Sequence, residues 1–129
     1  MPTMEQRTLG RSPKLASVVG LGTWQLGADW GDVSEADAFA VLDAAVEGGV
    51  TFFDTADVYG FEKGKGLTEE IVGRWFALGD RRRDRVVLAT KVYGAMSDGI
   101  NERGLSAFHI RQACEAIGEL SLWRQATTL

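Results

Sequence analysis

Asp54, Tyr59 and Lys91 are the residues whose types and positions first suggest chemistry. The stretch FFDTADVYG closes an apolar run with two carboxylates, Asp54 and Asp57, and the phenol of Tyr59, while VVLATK ends a second apolar run in the ammonium of Lys91. Carboxylates at the margin of an apolar core are costly unless they are paired or used. A lysine beside a tyrosine favours the phenolate and lowers the phenol's pKa, and a carboxylate beside that lysine keeps it charged and aimed. A tyrosine tuned in this way donates a proton to a developing alkoxide near neutral pH, which is general acid catalysis.

These residues lie far apart in the chain, so the elements around them must bring them together. QRTLGRSPKLA, residues 6–16, alternates polar and apolar positions about a Gly-Arg-Ser-Pro turn and predicts a short hairpin. SVVGLGTW reads as a compact buried strand ending at Gly22, Thr23 and Trp24, and GADWGDV as a loop. Ser34 and Asp37 resemble a capping box that opens a helix over 36–47, with apolar positions Ala38, Val41, Leu42, Ala45 and Val46 at helical spacing and Gly48-Gly49 as the stop. VTFF is the next buried strand. After EKGKG, read as a mobile stretch, Thr68 is the expected N-cap of a helix carrying Ile71, Val72, Trp75 and Phe76. DRRRDR reads as a solvated connector, VVLATK as a third strand, and Ser106 as the cap of a last helix, AFHIRQACEAIGEL.

Short strands that are apolar on consecutive residues, alternating with helices, are the pattern of βαβ units around a parallel sheet buried on both faces. Right-handed parallel connections put the C-terminal ends of all strands on one side. Gly22, Thr23 and Trp24, then Asp54 through Tyr59, then Lys91 must therefore share one face.

Composition narrows the partners. Of 129 residues, 45% are hydrophobic and 25% charged, a globular balance, and no linker or repeat divides the chain. Fourteen Lys and Arg against eighteen Asp and Glu give a net charge of −4, and the basic cluster at Arg81–Arg85 is broken by acids, which argues against nucleic acid. One cysteine, Cys114, leaves no internal disulfide, and no Cys or His spacing suggests a metal. There is no apolar run of about eighteen residues and no apolar segment at the polar N-terminus, so no membrane span or secretory signal is expected and the cytoplasm is the expected compartment.

GLGTW after the first strand, FFDTADVYG after the second and LATKVYG after the third together resemble the N-terminal part of the aldo-keto reductase family, over roughly residues 7–116. The resemblance implies part of a (β/α)8 barrel with a leading β-hairpin, and NADPH-dependent reduction of an aldehyde or ketone. It implies Tyr59 as proton donor, with Lys91 and Asp54 tuning it, and Gly22, Thr23, Trp24 and Asp54 as cofactor-binding, the last three at the nicotinamide end. A small carbonyl compound is the implied substrate.

A full barrel takes about 250 residues, so residues 1–129 are expected to form one partial domain, an incomplete barrel of three strand and helix units. The family's catalytic histidine follows its fourth strand, so its role is not carried to His109, which reads as a helix-surface residue. Asp57 reads as a solvated turn residue and Cys114 as a small packing residue. Residues 117–129 depart from the family pattern. By themselves these 129 residues are expected to turn over little or nothing. The alternatives are a non-enzymatic nucleotide-binding or interaction fragment, and a truncated product without function.

Overall fold

A computed structural model describes residues 3–61 and 63–120. Strand β1 (Gln6–Thr8) pairs antiparallel with β2 (Leu15–Ser17), Arg7 opposite Ala16, in the expected hairpin. Three further strands, β3 (Leu21–Gly22), β4 (Phe52–Asp54) and β5 (Val87–Ala89), form a parallel sheet in the order β3-β4-β5. Gly22 lies opposite Asp54, and Asp54 opposite Ala89, so the strands end level with one another. Three helices connect and follow them: α1 (Glu35–Glu47), α2 (Leu67–Ala77) and α3 (Ala107–Leu120). The described residues form a small α/β fold with an open sheet rather than a closed barrel.

Local chemistry accounts for most boundaries. The Ser34 hydroxyl accepts the Asp37 N–H at 3.0 Å and donates to the Asp37 carboxylate at 2.7 Å, which fixes the start of α1. The Ser106 hydroxyl accepts the His109 N–H at 3.1 Å and does the same for α3. The first parallel strand is shorter than SVVGLGTW suggests. Ser17 Oγ donates to Val19 O at 2.6 Å, and the Val18 N–H turns to Glu5 O, so this segment serves the hairpin and leaves Val18 and Val19 exposed.

Thr68 is not the N-cap of α2. Gly66 takes that place with φ near 93°, a conformation that favours glycine, and Thr68 is fully buried one residue inside the helix. Its hydroxyl packs so closely on Gly27 that a Cβ at Gly27 would lie 2.4 Å from Thr68 Oγ1 and 2.9 Å from Gly60 Cα. The close approach of three chain segments decides the local geometry.

The core joins Phe53 of β4, Leu88 of β5, Leu42 of α1, and Val72, Trp75 and Phe76 of α2, with Ile117 of α3 closing one side. Trp75 has no exposed surface, and its indole N–H donates to Asp43 of α1 at 2.9 Å, so its one polar group is satisfied. DRRRDR is not simply a solvated connector. Its 3-10 turn, Arg82–Arg85, places the Arg82 and Arg83 guanidinium groups 5.6 Å and 5.4 Å from the ring centres of Trp75 and Phe76. The two guanidinium groups cover the aromatic end of the core, Arg82 reaching Asp43 Oδ1 at 3.5 Å and Arg83 donating to Val86 O at 2.8 Å. Along α3, His109, Ala113 and Ile117 are spaced four apart and face inward; Cys114 lies off that stripe and is exposed rather than packed. Residues 121–129, most of the expected divergent tail, lie outside the described residues.

Candidate active site

Three adjacent strand ends build the candidate site. The Thr23 N–H and hydroxyl both donate to Asp54 O, at 3.0 Å and 2.9 Å, binding the end of β3 to the end of β4. On the other side the Thr55 N–H donates to Ala89 O at 2.8 Å and the Asp57 N–H to Lys91 O at 3.2 Å, which extends the ladder past β4 and β5. Asp54 and Lys91 are thereby set beside one another by backbone alone.

Their side chains complete the arrangement. Lys91 Nζ donates to Asp54 Oδ2 at 2.7 Å, to Asp54 Oδ1 at 2.9 Å and to Thr55 O at 2.7 Å, and it stands 5.2 Å from the centre of the Tyr59 ring. Partial burial pulls the Lys91 pKa down, but the hydrogen bond to Asp54 and the interaction with Tyr59 outweigh it and hold the ammonium above the ordinary lysine range. Lys91 is therefore a fixed positive charge across the neutral range. The side chains of Lys91 and Asp54 remain about half exposed, at 51% and 45%, so the pair faces an open mouth.

Trp24 and Tyr59 stack, with ring centres 5.6 Å apart and planes 10° from parallel, and Trp30 tilts against Trp24 at 5.2 Å. Trp24 is 40% exposed and Trp30 69%, so an aromatic wall rises beside the Tyr59 ring. The two loops that carry it are tied together: Asp29 accepts the Gly60 N–H at 2.9 Å, and Lys63 pairs with Asp32 at 2.6 Å. Lys65 donates to Ala95 O, so Lys63 and Lys65 of the stretch read as mobile are both anchored. Gly22 ends β3 beside Asp54 with open space where a Cβ would stand.

Asp54, Tyr59, Lys91 and Trp24 thus converge, with Gly22 at their edge. Thr23 is fully buried, and its hydroxyl is engaged with the backbone of Asp54, so in this geometry it positions the strand end. Two other expectations change. Asp57 is only 7% exposed rather than solvated, and His109 is 3% exposed rather than on a helix surface. His109 Nδ1 lies 3.0 Å from Gly104 O; a carbonyl only accepts, so Nδ1 carries the proton in that contact.

Sequence reasoning missed Trp30 and Glu69. Trp30 sits in a loop whose only signal is a large aromatic among glycines and aspartates. Glu69, beside the supposed cap Thr68, reads as first-turn decoration, yet it is buried and accepts a hydrogen bond from Thr90 Oγ1 at 2.5 Å. Thr90 immediately precedes Lys91, so Glu69 steadies the strand end that carries the lysine.

Comparison with known proteins identifies the family. The profile of the Aldo/keto reductase family matches residues 18–120. A Bacillus subtilis protein named "Uncharacterized oxidoreductase YrpG" is 48% identical over 116 residues, covering 87% of this chain and 35% of the relative. "Aldo-keto reductase YhdN" of the same organism is 41% identical over 90 residues, covering 68% of this chain and 25% of the relative. "Pyridoxal 4-dehydrogenase" of Microbacterium luteolum is 37% identical over 99 residues, covering 77% and 26%. The chain spans about a third or less of the length of these relatives, whose family fold is a (β/α)8 barrel. With the match running through all three parallel strands and the strand ends that hold Asp54, Tyr59 and Lys91, the chain belongs to the aldo/keto reductase family.

Proposed function

We propose that Asp54, Tyr59 and Lys91 form the proton-delivery part of a site for NADPH-dependent reduction of an aldehyde or ketone to an alcohol. The observation that carries this reading is the placement of Lys91 Nζ, bonded to both Asp54 carboxylate oxygens and standing over the Tyr59 ring. When bound, the reduced nicotinamide supplies the hydride. The Tyr59 hydroxyl gives its proton to the carbonyl oxygen as negative charge develops there, and the Lys91 ammonium stabilises the phenolate left behind. Asp54 keeps Lys91 charged and aimed. Gly22 and the exposed part of Trp24 offer room for a flat ring beside the Asp54 carboxylate, which supports a nicotinamide-sized group at this edge.

The preference for NADPH over NADH and the small carbonyl substrate rest on the family. A second reading follows from the open sheet: with Asp54 and Lys91 half exposed, the chain on its own binds a nucleotide cofactor with little turnover. One experiment covers both. The 129-residue chain is titrated with NADPH while cofactor fluorescence is followed, with circular dichroism as the folding control, and NADPH consumption is then measured with a small aromatic aldehyde. Saturable binding with aldehyde-dependent consumption that disappears in Tyr59→Phe supports the reductase reading. Saturable binding without consumption supports the second. A folded chain that does not bind NADPH sinks both.

A further inference from the structure

Glu69, in the first turn of α2, is only 7% exposed, and it lines a cavity of about 330 Å³ between the β4 to α2 segment, α2, the β5 to α3 segment and α3. The cavity gives its carboxyl group a route to exchange a proton with solvent, while burial disfavours the charge. Oε1 accepts the Thr90 hydroxyl at 2.5 Å. Thr90 stands directly before Lys91, and the Lys91 backbone O accepts the Asp57 N–H at 3.2 Å. The segment that follows β5 is thus held to α2 by the Thr90 side chain and to the β4 loop by the Lys91 carbonyl. These two ties lie on either side of the Lys91 Cα.

A hydroxyl bonded to an ionised carboxylate makes a bond roughly twice as strong as its neutral counterpart. When Glu69 takes up a proton, the Thr90 hydroxyl keeps a partner, but a neutral one, and the tie from α2 slackens. Lys91 sits one peptide unit beyond that tie. We propose that Glu69 is a positioning residue for the strand-end site, and that its gain or loss of a proton is transmitted through Thr90 to the Lys91 ammonium that Asp54 holds. The consequence rests on the reductase reading. With Glu69 ionised, Lys91 is held firmly beside Asp54 and over the Tyr59 ring, ready to stabilise the phenolate. With Glu69 protonated, it is held less firmly and proton delivery weakens.

The switch works near neutral pH. Burial raises Glu69 to about 7, the Thr90 hydrogen bond opposing the rise and the Asp57 charge adding to it. Above that value the tie to Thr90 is charge-assisted; below it the tie is neutral. The charged groups that share the cavity with Glu69 come from each segment around it: Asp57 and Lys65 from the β4 to α2 segment, Glu70 from α2, Glu102 from the β5 to α3 segment and His109 from α3. Asp57, Glu70 and Glu102 favour the protonated form of Glu69, and Lys65 and a charged His109 favour the ionised one. Lys65 Nζ donates to Ala95 O and His109 Nδ1 to Gly104 O, whereas the Thr90 hydroxyl donates to Glu69 itself. Thr90 is thus the link from this cluster to the segment that carries Lys91.

The test is an NMR titration of the ¹³C,¹⁵N-labelled 129-residue chain from pH 5 to pH 9, following the Glu69 carboxyl carbon, the Lys91 amide and the Lys91 Cε. Expected is a Glu69 midpoint of about 7, with the Lys91 signals moving at the same midpoint. Glu69→Gln should abolish that inflection at Lys91. Thr90→Val should abolish it too while Glu69 still titrates, at a higher midpoint because its donor is gone, and Thr90→Ser, which retains the hydroxyl, should keep it. A Glu69 with a structural role alone would leave Lys91 flat across neutrality. Flat Lys91 signals in the unaltered chain, an inflection that survives Glu69→Gln, or one that survives in a folded Thr90→Val protein would overturn the proposal, and the first of these needs no variant to fold. A chain without a dispersed spectrum does not bury Glu69 and ends the proposal as well. None of these readouts uses cofactor or aldehyde, so a failed reductase assay leaves the coupling standing, and flat Lys91 signals leave the reductase reading standing.

Discussion

Two acidic regions only three residues apart in sequence have opposite fates. Asp54 ends β4 facing the open mouth, where Lys91 neutralises it at 2.7 Å and water reaches both partners. Asp57 turns the other way, into the interior, where Oδ2 is unpaired and its neighbour Glu69 is pushed up to about 7. One loop thus presents one carboxylate to a charge partner at the open mouth and buries the next. Charge at a strand end is cheap to keep where solvent and a counter-ion share it, and costly where neither does. The first arrangement holds a permanent charge ready for proton chemistry; the second holds Glu69, which burial brings to about 7.

The comparison can be broken at several points. The largest effect belongs to the open region. Tyr59→Phe should lower any aldehyde-dependent NADPH consumption by about 100-fold or more, the usual scale of general acid catalysis, with fluorescence titration showing cofactor binding retained. Next comes the support common to both regions: Trp75→Ala should cost about 3–5 kcal/mol in urea unfolding, since a fully buried indole leaves a cavity and its hydrogen bond to Asp43 is lost.

Glu69→Gln sharpens the contrast. The folded chain keeps Glu69 protonated up to about pH 7, whereas the unfolded chain ionises it near 4.5, so between those values the folded state binds more protons. Stability contributed by this group is therefore present at low pH and falls as pH rises through that window, by on the order of 3 kcal/mol at most. Glu69→Gln should flatten that part of the stability profile measured by urea unfolding from pH 4 to pH 8. The smallest effect is expected at the surface pair between the loops: Lys63→Ala should change unfolding stability by less than about 1 kcal/mol. A larger change would show that the aromatic mouth depends on that tie.

Much of the first region was legible in the sequence. Short apolar strands separated by helices force parallel connections, and parallel connections align strand ends, so Asp54 and Lys91 had to meet however their side chains packed. The Ser34 and Ser106 caps were legible for a similar reason, because a cap is a contact between residues three apart. The second region was not legible. His109, Glu69 and Asp57 are polar residues in a turn and in first helical turns, where exposure is the ordinary outcome, and only the packing of α2 against α3 buries them. Arg82 and Arg83 misled in the same way. A run of arginines carries no local sign that its stems will lie over Trp75 and Phe76.

The division has a physical basis. By itself the sequence determined what depends on neighbours along the chain and on handedness: helix starts, the parallel order, the family's motifs and the shared face of the strand ends. Tertiary structure alone decided burial: that Gly66 rather than Thr68 caps α2, that Thr23 is turned inward, that Cys114 is exposed, and that Asp57 is buried. Solvation depends on every segment that closes over a group, and those segments are distant in sequence, so no local pattern encodes it.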